Sequence, residues 1–100
     1  TGIAIELPHR HVAGLVFPRS GLATNHGISL ANAVGLIASD YKGEIIVAVV
    51  NQSEREYIIK PGERIAQLVF IPVFHVSFEI VEELGKSSRG KGGFGSTGRF

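Results

Sequence analysis

The apolar positions of this chain recur mostly with a period of two, broken by turn-forming residues. Ile3, Ile5 and Leu7 alternate with small or polar neighbours, which predicts a half-buried strand. Val12 to Phe17 is a second apolar run, ended by Pro18. Glu44 to Val50 reads EIIVAVV, a β-branched run long enough for a strand covered on both faces. Glu56 to Ile59 predicts a short strand, and Lys60-Pro61-Gly62-Glu63 a turn. Ile65 to Ile71 is a further strand, stopped by Pro72. Phe74, Val76, Phe78 and Ile80 then alternate against His75, Ser77 and Glu79. A single helical turn is expected after Pro18, at Ser20 to Ala23. Short strands separated by turns, with no long helical period, predict an all-β fold, a jelly-roll-like sandwich or barrel.

The pattern stops at Gly85. Residues 1–84 form the expected β domain. Residues 85–100, GKSSRGKGGFGSTGRF, carry four cations and no acid and are rich in glycine and serine. Such a tail cannot bury enough apolar surface to fold alone, so a flexible C-terminal flap is expected.

Composition narrows the functions. One hundred residues make one domain, small enough for oligomerisation to be expected. The hydrophobic share is 44%, as in globular proteins. The net charge of +1 gives no basic field for general nucleic-acid binding. No apolar run reaches the roughly 18 residues of a membrane span. With no cysteine, disulfides, thiolate zinc sites and cysteine nucleophiles are excluded, and a reducing compartment fits. Asp40 is the only aspartate beside eight glutamates. The histidines, His9, His11, His26 and His75, show no repeated ligand spacing, and no metal-ligand role is expected of them.

Four segments carry candidate chemistry. Pro18-Arg19-Ser20-Gly21-Leu22-Ala23 places a guanidinium, a hydroxyl and backbone N–H groups at one turn, a setting for phosphate oxygens. Gly35-Leu36-Ile37-Ala38-Ser39-Asp40-Tyr41-Lys42-Gly43-Glu44 reads as a hairpin entering the EIIVAVV strand. Gly62-Glu63-Arg64-Ile65-Ala66-Gln67-Leu68 is a turn feeding a strand, with Arg64 and Gln67 polar within an apolar run. In the tail, Arg89, Ser96 and Thr97 are phosphate donors among glycines, and Phe94 is an aromatic able to stack on a base. Taken singly, each reads equally well as a strand end, a β-turn, an edge strand or a linker.

Together, in this order and spacing, PRSGLA, GLIASDYKGE, GERIAQL and RGKGGFGSTG resemble four of the sequence motifs of the trimeric dUTPases over essentially the whole chain. PRSGLA and the tail favour that family over the related dCTP deaminases. The resemblance implies a jelly-roll homotrimer with composite active sites that hydrolyses dUTP to dUMP and pyrophosphate in the cytoplasm. That reaction keeps uracil out of DNA and supplies dUMP for dTMP synthesis. It implies that the family's first motif lies upstream of Thr1. Arg19, Ser20, Gly21 and Gln67 are then expected to bind phosphates. Arg89, Ser96 and Thr97 are expected to hold the γ-phosphate. Asn32, with the hairpin backbone from Gly35 to Ile37, is expected to read the uracil edge, and Phe94 to stack on it. Tyr41 is expected to lie under the deoxyribose and reject a ribose. Mg2+ is the implied cofactor, held mainly by substrate phosphates.

One residue departs from the family pattern. Ala38 stands where these enzymes carry the aspartate that contacts the 3'-hydroxyl and activates the attacking water. Alanine accepts no proton and no hydrogen bond. If the segment is extended, Asp40 lies on the same face about 6–7 Å further along, outside the reach of a general base. Impaired hydrolysis is therefore expected. The alternative is a dUTP-binding or regulatory module without chemistry.

Overall fold

The computed structural model describes all 100 residues. Six elements form: β1 (Val12–Pro18), α1 (Ser20–His26), β2 (Ile28–Leu30), β3 (Gly35–Ile37), β4 (Val49–Asn51) and β5 (Ala66–Pro72). The fold is all-β with a single short helix. β1 is the centre of a three-stranded antiparallel sheet of order β3-β1-β5, and β2 and β4 pair separately as a two-stranded sheet. No closed barrel is formed by these pairings.

β1 binds both neighbours because its seven residues are long enough to pair β5 along their whole length and β3 over three positions. Val16 sits opposite Leu68 on one side and Gly35 on the other. Pro18, which lacks an N–H, is tolerated as the last strand residue, opposite Ala66. The core joins the two sheets: Val16, Leu30, Ile37 and Ile45 cluster, with Ile5, Val47, Ala66 and Leu68 packed against them. Truncating Ile37 to alanine here removes a buried side chain of the kind that costs about 2–5 kcal/mol.

α1 runs to His26, three residues past the predicted turn. It ends where Gly27 takes φ 70° and ψ 15°, a left-handed cap whose N–H reaches the Ala23 and Leu22 carbonyls. The Gly27 carbonyl then accepts from the Gln52 N–H at 2.8 Å, tying the helix end to the β4 end.

Several predicted strands are not ladders. The Ile3–Leu7 segment makes only a single bridge, Ala4 to Glu44. Of Glu44–Val50, apart from that bridge at Glu44, only the end from Val49 joins a ladder, in β4. Glu56–Ile59 and Phe74–Ile80 pair with nothing. The cause is the same in each case: a strand is defined by a hydrogen-bonded neighbour, and alternation supplies none. Past Pro72 the chain leaves the body as an arm on which Phe74, Phe78 and Ile80 are more than nine-tenths exposed. β2 is an addition, a three-residue strand too short to stand out in the pattern. At the base of the arm the His11 and His75 rings meet edge-on, 5.6 Å apart, and His75 Nε2 hydrogen-bonds the Arg10 carbonyl.

Candidate active site

Arg19 is the residue before α1, in extended conformation with φ −90° and ψ 132°. No side chain caps the helix, and its first turn holds no acid. Arg19, Ser20, Gly21, Leu22 and Gln67 line one open pocket of about 290 Å3. Gln67 reaches it from β5, where it pairs with Phe17, and its Nε2 donates to the Pro18 carbonyl at 2.9 Å. The four residues expected to bind phosphate from the body of the chain are thus brought together by β1–β5 pairing.

A second pocket, of about 190 Å3, is lined by Asn32, Gly35, Ile37 and Tyr41 with Val16, Leu36, Glu44, Ile45 and Ile46. Four of the five residues expected to meet base and sugar are here, and Phe94 is not. The β2–β3 connection that carries Asn32 is tight: the Ala33 N–H donates to the Leu30 carbonyl at 3.0 Å, and Val34 to Asn32 at 2.7 Å. Ala33 has φ 64°, the left-handed region that a Cβ disfavours.

The Ala38 segment is not extended. The Tyr41 N–H donates to the Ala38 carbonyl at 3.1 Å, closing a turn with Asp40 exposed at its tip. The expectation that Asp40 continues the face of Ala38 along a strand is corrected by that bond. Tyr41 beyond the turn is held at its far end, its hydroxyl donating to the Glu44 carbonyl at 2.6 Å. The Glu44 carboxylate accepts from the Gly2 N–H at 2.6 Å and from the Thr1 amino group at 3.1 Å. These donors, Gly2 first, hold the Glu44 carboxyl below its ordinary range.

The tail residues join neither pocket. Arg89 Nε donates to the Gly92 carbonyl at 2.9 Å and to Ser96 Oγ at 3.1 Å, so Arg89 and Ser96 meet within the tail's own turns. Thr97 and Phe94 are exposed.

Pattern reading missed Gly43, above which the Tyr41 ring lies, and the pair Tyr57–Glu63. The Tyr57 hydroxyl donates to Glu63 Oε1 at 3.1 Å, while Glu63 Oε2 is buried without a partner. Loss of solvent and the Glu63 bond raise the Tyr57 pKa. Only the glycine two places after Tyr41 was visible as a signal. No group of three His, Cys, Asp or Glu side chains has the geometry of a metal site.

The strand order and pockets define a small all-β domain with one polar and one largely apolar pocket. A sequence profile of the dUTPase family matches residues 1–98. Relatives with the name deoxyuridine 5'-triphosphate nucleotidohydrolase include that of Desulfitobacterium hafniense (strain DSM 10664 / DCB-2). It is 57% identical over 98 residues, 98% of this chain and 65% of the relative. That of Legionella pneumophila (strain Paris) is 54% identical over 100 residues, all of this chain and 66% of the relative. The chain belongs to the dUTPase family, and it spans about 65% of the length of these relatives.

Proposed function

We propose that this chain builds a dUTP site and that Ala38 slows hydrolysis at it. The observation that carries the reading is the sorting of residues into two pockets, one collecting Arg19, Ser20, Gly21 and Gln67 and the other Asn32, Gly35, Ile37 and Tyr41. The first set is cationic and rich in donors, as a triphosphate requires. The second is largely apolar with an amide and a phenol, as a pyrimidine and its sugar require.

The two pockets share no residue, and the tail joins neither. On this reading a second copy brings its tail to these pockets, and the assembly is a homotrimer with composite sites. The exposed apolar arm beyond Pro72 and a core of only eight buried residues support the same assembly. On this reading Arg89, Ser96 and Thr97 close over the γ-phosphate, and Phe94 stacks on uracil.

In the reaction a water oxygen bonds to the α-phosphorus as the bond to the bridging oxygen breaks. Pyrophosphate leaves, and the water proton passes to a base or to solvent. The phosphate pocket contains no carboxylate, and the lone aspartate is exposed at a turn tip. Mg2+ thus fits this chain as an ion carried by the triphosphate, where it neutralises phosphate charge. Arg19, Ser20, Gly21 and Gln67 orient the phosphates, and the hairpin excludes ribose and cytosine. Position 38 opens the Ala38–Tyr41 turn, and alanine there leaves the water without an acceptor. The product dUMP and removal of dUTP are the expected cellular consequences.

The test is pyrophosphate release and dUTP affinity for the full-length protein with alanine or aspartate at position 38. Ala38→Asp is expected to raise turnover about 10²–10⁴-fold, the usual worth of a general base, with affinity changed little. Equal rates overturn the role given to Ala38. Absence of dUTP binding in both overturns the nucleotide reading.

A further inference from the structure

Gly43 is the residue whose side chain the hairpin has no room for. A Cβ placed on it would stand 2.6 Å from the Tyr41 hydroxyl oxygen, 2.7 Å from Cζ and 3.0 Å from Cε1. Its φ is not in the left-handed region that Gly2, Gly27 and Gly62 occupy. The backbone at position 43 is therefore not in a conformation reserved for glycine, and the nearest obstacle to a side chain is the tyrosine ring.

The ring is fixed at both ends. Its near end leaves the Ala38–Tyr41 turn, and its hydroxyl is bound to the Glu44 carbonyl at 2.6 Å. Between them the ring lies against the bare backbone of Gly43 and forms a wall of the pocket that also holds Asn32, Gly35 and Ile37. The three atoms nearest to a new Cβ all belong to the Tyr41 side chain. The least costly response to a methyl group is rotation of the ring, with loss of the Glu44 bond and the rest of the fold unchanged.

We infer that Gly43 is a positioning residue for sugar discrimination: by leaving space under Tyr41 it sets the ring where a 2'-deoxyribose fits and a 2'-hydroxyl does not. This rests on the reading of Tyr41 as the sugar wall given above. A displaced wall loses steric selection much as a misplaced catalytic group loses rate, where about 1 Å is worth up to about 100-fold.

The experiment measures affinities for α,β-imido-dUTP and α,β-imido-UTP, with thermal stability. It compares the full-length protein, Gly43→Ala, Tyr41→Ala and the double variant. Gly43→Ala is expected to fold and to lose about tenfold or more of the dUTP preference. In the Tyr41→Ala background the same change is expected to do nothing further, because the atoms it meets are gone. Ring signals assigned to Tyr41 by their disappearance in Tyr41→Ala report its movement by NMR without ligand. Retained preference in Gly43→Ala, or an equal loss with and without Tyr41, overturns the inference. If Gly43→Ala does not fold, the double variant is expected to fold, and its failure also overturns it. If the parent shows no dUTP preference, or Tyr41→Ala keeps it, the sugar-wall reading fails and takes this inference with it.

Discussion

Gln67 Nε2 donates to the Pro18 carbonyl at 2.9 Å, fastening β5 to the residue that precedes Arg19. The bond spans 49 positions of sequence and fixes an amide at the edge of the phosphate pocket. Gln67→Ala removes that donor while leaving the strand pairing intact. Triphosphate affinity is expected to fall about 10- to 100-fold, the worth of a hydrogen bond to a charged group. Calorimetric titration with α,β-imido-dUTP checks this, and an unchanged affinity rejects Gln67 as a phosphate ligand.

Deleting residues 89–100 is expected to weaken triphosphate binding without lowering the melting temperature. These residues are exposed, and the hydrogen bonds of Arg89 stay within the tail. The stacking share, tested alone by Phe94→Ala, is expected to be about 1–3 kcal/mol, on the scale of base–aromatic contacts. Equal affinity before and after truncation removes the flap from the site.

Two backbone positions are expected to shift stability in opposite directions. At Gly27 a Cβ would lie 2.8 Å from the Ser53 backbone nitrogen, and φ is 70°. Gly27→Ala combines an αL penalty of roughly 1–2 kcal/mol with a backbone collision, so a loss of at least that size is expected. At Ala33, with φ 64°, the same penalty is already present. Ala33→Gly relieves it at a cost of about 0.4–1 kcal/mol in unfolded-state entropy, a net gain of up to about 1.6 kcal/mol. Chemical denaturation of the two variants checks both signs.

Glu44 makes one contact pH-dependent. Its folded-state pKa lies below the ordinary value of 4.5, chiefly because the Gly2 N–H favours the carboxylate. A lowered folded-state pKa contributes stability that is complete above the ordinary value and disappears as the pH falls through the lowered one. NMR titration is expected to place the Glu44 midpoint below the ordinary value of 4.5. In Glu44→Gln the signals of Gly2 should no longer follow the pH across this range. A midpoint at or above the ordinary value contradicts the Gly2–Glu44 bond.

The chemistry of this chain was written locally and its assembly was not. The PRSGLA turn was legible because its residues are adjacent, whereas Gln67, Asn32 and Tyr41 were singled out through the resemblance to the dUTPases rather than by spacing. β1 and β5 were legible as continuous apolar runs bounded by proline. What only the tertiary structure decided was which extended segments found partners. Ile3–Leu7 and Phe74–Ile80 have the same alternation, yet one makes a single bridge and the other none. Alternation sets which side chains share a face, but a ladder also needs a neighbour at hydrogen-bonding distance, and that neighbour is remote in sequence. The turn at Ala38–Tyr41 and the ring of Tyr41 over Gly43 belong to the same class. They depend on where the Glu44 carbonyl ends up, and that is set once Ile45 is buried against Val16, Leu30 and Ile37.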